Sequence, residues 1–498
     1  MKYWYIIIFS IVQIVFIHVC FSQVGYGNNW VLGNSTSPEI SGTIINFRPD
    51  SINIFSSDKS MFMHAANTSM SDAEGNLLFY SNGCEVAGAN NILLLNGGSI
   101  GHGNLATSFC NSIGSPLTQG ILSLPQPGSD YLYYLFYLDL QLTYEFPTGL
   151  YFPFAPTNLY YGIIDMSSNN NLGSMVVKDM SVVSDTLSRG MLQAVQNDDG
   201  SCWWILMPES HSNCYYTLKL TSNGIDTIFK QCQGIVWDDE DRTGQAVFSQ
   251  NGKKYVRSNY FNGLNIFDFD SNTGILSNPI NIDFGLDTFY FSGAVFSPNS
   301  RFIYITAYNN IFQFDLYASD IANSKILVAE LNTPANISNK TRFNQALLAP
   351  NGKIYIGGTS SHNYLHIIQN PNCYGLNCDV DQYALEMPAF NLYGLPNIPC
   401  FGDWSESDIC DSITNNISPN VSMDLKVFPN PFNNELHIVS KAQFILEIYD
   451  SFGRLVFTKQ FDSAQNIVTL DFLLNSMYFY RVVTKHELIG QGKIVKSE

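Results

Sequence analysis

The sequence predicts an all-β chain, a β-propeller of about seven blades followed by a small C-terminal β-sandwich. Three observations carry that reading: a strand–turn–strand unit that recurs, a spacing near fifty residues, and strands that are apolar on both alternations. The clearest copies are Ala246-Val247-Phe248-Ser249-Gln250-Asn251-Gly252-Lys253, Ala294-Val295-Phe296-Ser297-Pro298-Asn299-Ser300-Arg301 and Ala346-Leu347-Leu348-Ala349-Pro350-Asn351-Gly352-Lys353. In the turn, Pro at the second position fixes φ, and Asn followed by Gly or Ser tolerates the later positions, so each copy reads as a β-hairpin.

Looser copies centre on Gly75, Gly128 and Gly200. Across turn positions 75, 128, 200, 252, 300 and 352 the intervals are 53, 72, 52, 48 and 52. At a pitch of about 52, residues 26–405 hold about seven units. Strands such as Phe302-Ile303-Tyr304-Ile305 have no polar side. That suits a blade packed between two neighbours, whereas separate β-sandwiches would alternate.

The 498 residues carry 13% charged and 14% aromatic side chains, an ordered composition, and a formal net charge of −18. That balance argues against phosphate backbones as partners, because binding those rests on Lys and Arg. Met1-Lys2, the uncharged run 3–19 and Cys20-Phe21-Ser22 read as a signal peptide over 1–22, too short for a membrane span and removed from the mature chain. Nine cysteines then remain, so at least one stays unpaired within the chain; the near pairs Cys202 with Cys214, Cys373 with Cys378 and Cys400 with Cys410 are the expected disulfides. Zinc is the poorer reading, since no C-x-x-C pair exists.

In chain order, residues 23–60 are expected to supply outer or closing strands of the ring, which runs over 23–410. Residues 61–140 are read as hairpin units, and Glu145 to Tyr161, with Pro147, Gly149, Pro153 and Pro156, as a loop insertion. Residues 411–424 lack apolar periodicity and read as a linker. Residues 425–498 hold six or seven short strands, enough for a small sandwich.

Here a resemblance enters. Asn430-Pro431, the hairpin around Tyr449-Asp450-Ser451-Phe452-Gly453-Arg454, the strand Met477-Tyr478-Phe479-Tyr480-Arg481-Val482 and the basic end Lys493-Ile494-Val495-Lys496 together resemble the type A C-terminal sorting domain of type IX secretion cargo, with Ser476 where that family usually has Gly. The resemblance implies a sorting signal at Asn430, Pro431, Gly453, Tyr478, Lys493 and Lys496. It also implies the type IX machinery as partner, and a product secreted or held at the outer-membrane surface after periplasmic transit, with no integral span once processed. The body resembles secreted propeller-like proteins (WD40-like repeats) that carry such domains, through Asp72-Ala73-Glu74-Gly75-Asn76, Trp203-Trp204-Ile205, Phe296-Ser297-Pro298-Asn299 and Tyr393-Gly394-Leu395-Pro396-Asn397. That likeness implies architecture and export, and no activity.

Local chemistry is sparse. Gly97-Gly98-Ser99-Ile100-Gly101 fits a nucleophile pattern and precedes His102, but no helical periodicity follows, so a connecting loop is the better reading. Asp238, Asp239, Glu240 and Asp241 form the densest acidic run; calcium held by Asp238, Asp239 and Asp241 is set against a solvated loop. Asp268, Asp270 and Asn272 begin like a calcium loop, yet Thr273 stands where Gly is needed and Pro279 where Glu is needed, so a plain turn is expected. His362 and His366 share a strand without converging on a metal, and Trp203-Trp204 and Tyr160-Tyr161 are read mainly as packing. Without catalytic residues to name, the expected function is a non-enzymatic propeller binding a glycan or surface protein. The rivals are an extracellular hydrolase of polysaccharide or peptide whose carboxylates come from different blades, and a structural component of a surface layer or motility apparatus.

Overall fold

The computed structural model describes residues 25–33, 42–48, 51–141, 155–237, 244–284, 292–335, 337, 341–399, 401, 410, 426–439, 443–450, 454–461, 465–483 and 488–497. The chain divides into two compact units, Met1–Ile409 and Cys410–Glu498.

Among the described residues of the first unit, seven antiparallel sheets follow one another, over residues 29–56, 68–88, 121–184, 193–232, 244–282, 292–330 and 343–391. The first two have three strands and the others four, each strand pairing with the next in the chain. Turn chemistry explains this order. The turns between the first two strands of the fifth, sixth and seventh sheets are closed by Gly252 N–H on Ser249 O, Ser300 on Ser297 and Gly352 on Ala349, each at 2.9 Å. Asn251, Asn299 and Asn351 accept from the backbone N–H two residues on, at 3.1, 3.1 and 3.3 Å. The residue after each Asn is left-handed, Gly252 at φ 67°, Ser300 at φ 60° and Gly352 at φ 76°. A Gly or a small polar residue carries that conformation at little cost.

Apolar side chains then join each sheet to both neighbours. Strands Cys202–Pro208 and Phe302–Ala307 are buried at every residue. One core cluster spans the third and fourth sheets through Phe136, Leu138, Trp203 and Ile205, another the fourth and fifth through Trp204, Tyr215, Tyr255 and Phe267. Others join the fifth to the sixth, the sixth to the seventh, the first to the second and the second to the third. Closure comes from the cluster that packs Trp30 and Phe47 of the first sheet on Tyr355 and Leu365 of the seventh. Trp30, Phe47 and Tyr355 meet edge to face with centroids 4.7–5.5 Å apart. Seven blades with seven interfaces make a closed propeller.

The N-terminal strands therefore form a blade of their own, not only outer strands. Its innermost strand Asn29–Leu32 runs antiparallel to its neighbour Thr68–Ser71. Asn29 Nδ2 donates to Ser71 Oγ and Gly75 O, while Asn67 Nδ2 donates to Val31 O, all at 2.9 Å.

Three other expectations change. The 145–161 insertion is shorter than expected, because strand Asn158–Asp165 claims its last residues; residues 142–154 lie outside the described part. A one-turn helix, Ala106–Cys110, stands where no helix was expected. Among the described residues, Cys84 is bridged to Cys110 and Cys214 to Cys232, Cys373 and Cys410 are also disulfide-bonded, and Cys202 and Cys378 are free. Cys202 and Cys214 open two antiparallel strands at opposite ends of a hairpin, and at about 3.3 Å per residue they cannot meet. Cys214 faces Cys232 across a strand pair instead. Cys378 lies in the cluster between the sixth and seventh blades, where burial pushes its thiol up to about 12. Cys400 is outside the described residues.

The described residues of the second unit form two sheets. Lys426–Phe428, Glu435–Val439 and Gln465–Thr469 form one; Leu455–Phe461, Phe444–Tyr449, Met477–Val483 and Leu488–Val495 form the other. Between them Leu436, Ile438, Leu446, Ile448, Val482 and Ile494 make a core, the small sandwich expected.

Candidate functional site

The inner strands of the propeller surround an axial pocket of about 290 Å³. Its walls are the turn-side ends of the inner strands, with Val247 and Phe248 from the fifth blade, Val295 and Phe296 from the sixth, and Leu347 and Leu348 from the seventh. The opposite wall is Leu395, Pro396, Ile398, Pro399 and Phe401. None of the described residues lining it is ionisable.

The floor is built of side-chain amides. Gln119 donates to Ala246 O and accepts from Ala246 N–H, at 2.9 and 2.8 Å. Gln245 reaches from the fifth blade to the seventh, donating to Ala346 O at 2.7 Å and accepting from Ala294 and Ala346 N–H at 3.1 Å. The sixth blade has Gly293 at the matching position, where a Cβ would stand 2.5 Å from Asn344 O. Gln345 accepts from Leu395 N–H at 3.2 Å.

Asn397 is the hub. Its Oδ1 accepts from Gln193 and Gln119 at 2.6 and 3.2 Å, and its Nδ2 donates to Ile121 O and Leu192 O at 2.9 Å. Its backbone N–H donates to Asn67 O at 2.7 Å, and its carbonyl accepts from Thr68 Oγ1 at 3.2 Å. The segment after the last blade thus runs along the inner side of the first: Leu395 joins the Trp30 cluster, and Ile398 lies 3.3 Å from where a Cβ on Gly27 would stand. Gly394 passes so close to His64 O that a Cβ would lie 2.0 Å from it.

Reading the sequence missed these amides. A signal was there, because Gln193-Ala194, Gln245-Ala246 and Gln345-Ala346 place a Gln one residue before the recurring Ala.

The local motifs do not come together in this pocket. Ser99 sits on an exposed loop at φ 56°, not on a strand-to-helix elbow. His102 Nε2 lies 2.7 Å from Asp179 Oδ1, which also accepts from the Tyr137 hydroxyl at 2.7 Å. Asp268 pairs with Lys254, and Asp270 caps its own turn through Asn272 N–H and Thr273 Oγ1. His362 accepts from Gly358 N–H at 3.1 Å, and His366 from Tyr383 N–H at 3.2 Å; burial holds them down to about 4 and about 3. Asp238, Asp239 and Asp241 lie outside the described residues, among which no group of three or more His, Cys, Asp or Glu could hold a metal.

In the second unit, four of the residues that the resemblance implies as a sorting signal, Asn430, Tyr478, Lys493 and Lys496, lie on or beside its last strand. Asn430 donates to Lys493 O at 2.8 Å and accepts from Val495 N–H at 2.9 Å, pairing like one more strand residue. Pro431 follows it on the surface. Lys496, buried, donates to Leu470 O and Asp471 O at 2.7 and 3.1 Å. Tyr478 is buried opposite Ile494 and donates to Leu474 O at 2.9 Å, whereas Lys493 is exposed. Gly453 lies outside the described residues. Residues 426–497 match the family model described as "Secretion system C-terminal sorting domain".

The C-terminal module is a type IX sorting domain. A chain carrying this sorting domain is secreted or attached at the outer-membrane surface. No described helix is long and apolar enough to cross a membrane. No curated protein matches the chain. Among solved structures, the chain is loosely similar to a functionally unknown protein of Desulfotomaculum acetoxidans, with 13% identity, TM-score 0.38, and 75% of this chain and 99% of that one covered. It is also similar to the Dos1 propeller, with 11% identity, TM-score 0.37, and 66% and 86% covered. A third is PorZ, a surface component of the type IX secretion system of Porphyromonas gingivalis, with 9% identity, TM-score 0.32, and 92% and 63% covered. Such remote likenesses carry no activity to this chain.

Proposed function

We propose that the body is a non-enzymatic binding propeller, carried out of the cell by its sorting domain, that engages a ligand or surface partner at its axial mouth. The observation that carries this reading is the axial pocket, concave, mostly apolar and floored by a few polar groups, which is the usual form of a ligand site. The hydrolase reading gains no support there. Glycan cleavage needs two carboxylates facing across a cleft, and the described residues lining this one include none.

The test is a binding screen of the full mature chain against glycans, outer-membrane proteins and a small-molecule library, repeated with Leu348→Trp, which fills the pocket. Binding that this variant abolishes is expected. Turnover of a polysaccharide or peptide panel, or binding indifferent to Leu348→Trp, would overturn the proposal.

A further inference from the structure

Among the side-chain amides of Gln119, Gln193, Gln245, Gln345 and Asn397, the one group left without any partner is a donor. Each of these amide oxygens already accepts: Asn397 Oδ1 takes two amides, Gln245 Oε1 two backbone N–H groups, Gln345 Oε1 that of Leu395, Gln193 Oε1 that of Ala194 and Gln119 Oε1 that of Ala246. Donors remain. Gln345 Nε2 has no partner among the described residues and is not sealed away, and Gln193 Nε2 has spent one of its two hydrogens.

From this we infer that the axial pocket takes an uncharged molecule with an apolar body and a hydrogen-bond acceptor, such as a carbonyl oxygen, at its inner end. The inference rests on the reading of the pocket as the binding site and specifies its ligand. An anion or cation would enter a cavity with no counter-charge, against a desolvation cost that nothing there offsets. A polyol would leave hydroxyls unpaired against Phe248, Phe296 and Leu348, at a penalty for each. A ketone, amide or ester carbonyl on a flat or branched hydrocarbon meets the amide donors at the floor and the aromatic and aliphatic walls above. At about 290 Å³ the space suits one small molecule.

The experiment uses the full mature chain and two naphthalene dyes. 6-Propionyl-2-(dimethylamino)naphthalene is neutral and ends in a ketone; 1-anilinonaphthalene-8-sulfonate is comparable in bulk but anionic. Saturable binding of the neutral dye with blue-shifted emission is expected, undisturbed by excess anionic dye. Gln345→Glu keeps the oxygen that Leu395 N–H needs and removes the donors, so it should weaken the neutral dye about tenfold or more. Leu348→Trp should abolish binding, with Val247→Phe as a second pocket-filling variant, each checked by thermal melting. If the anionic dye competes, if Gln345→Glu binds the neutral dye as well as the parent does, or if no saturable binding is seen, the ligand class is overturned. If instead the neutral dye still binds both folded pocket-filling variants, the pocket itself is overturned as the site.

Discussion

The axis and the rim of the propeller handle buried polarity in opposite ways. At the axis, Gln119, Gln193, Gln245, Gln345 and Asn397 are neutral amides bonded to backbone and to one another. On the outer strand of the fourth blade, Lys230 stands 2.5 Å from Glu209 and 3.4 Å from Asp185, in partial contact with water. An amide placed in a dry interior costs far less than a charge and is indifferent to pH and salt, whereas an exposed ion pair is screened and contributes little. The ring is therefore held where it is uncharged.

The largest effect should come from Asn397→Ala, which leaves two backbone carbonyls and two glutamine amides without their partner. At roughly 1 kcal/mol or more per group, a loss of about 4 kcal/mol is expected in urea unfolding, equal at pH 5 and pH 8. A loss that varied with pH would break the contrast.

The next effect is the acid sensitivity of the body. Burial holds His64 and His362 down to about 4 and His366 to about 3. As pH falls through the ordinary histidine value near 6.5, the unfolded chain takes up protons that the folded chain refuses. Stability should then be full above about pH 6.5 and decline below it until pH approaches 4 to 3, by about 1.4 kcal/mol per pH unit for each group. His366→Gln, which retains an acceptor for Tyr383 N–H, should flatten the profile of urea midpoints between pH 7 and pH 4.5. An unchanged slope would show that His366 protonates without opening the fold.

The smallest effect belongs to the rim. Lys230→Ala should cost under about 1 kcal/mol at low ionic strength, and the cost should vanish in about 1 M salt. A larger, salt-resistant loss would mean that the rim holds the ring as firmly as the axis does.

What the sequence made legible follows from range. The hairpins of the last three blades were readable because Ser249 to Lys254, Ser297 to Phe302 and Ala349 to Lys353 close within six residues. Blade count followed from their spacing. The bond between Gln119 and Asn397 spans 278 positions, so the hub could not be read locally, and of the floor only the Gln before the recurring Ala left a mark in the sequence. Two of the three expected cysteine pairs, Cys202 with Cys214 and Cys373 with Cys378, misled for the converse reason. Neighbours in the chain were taken as partners, while Cys214 found Cys232 through strand register and Cys84 found Cys110 across a loop. In the second unit the motifs were local, and their order along the chain carried the resemblance to the sorting domain.

The segment around Asn397 fixes an order of assembly. Synthesis runs from the amino end, so the piece that ties the second, third and fourth blades at the centre is the last of the body to emerge. Until it does, those blades lack the side chain that bonds them to one another, like a barrel whose bung is cut from its final stave. Maturation of the mouth is thereby timed to completion of the body's polypeptide, and a chain cut short before residue 391 would carry most of the walls of the site without the wedge that seats them.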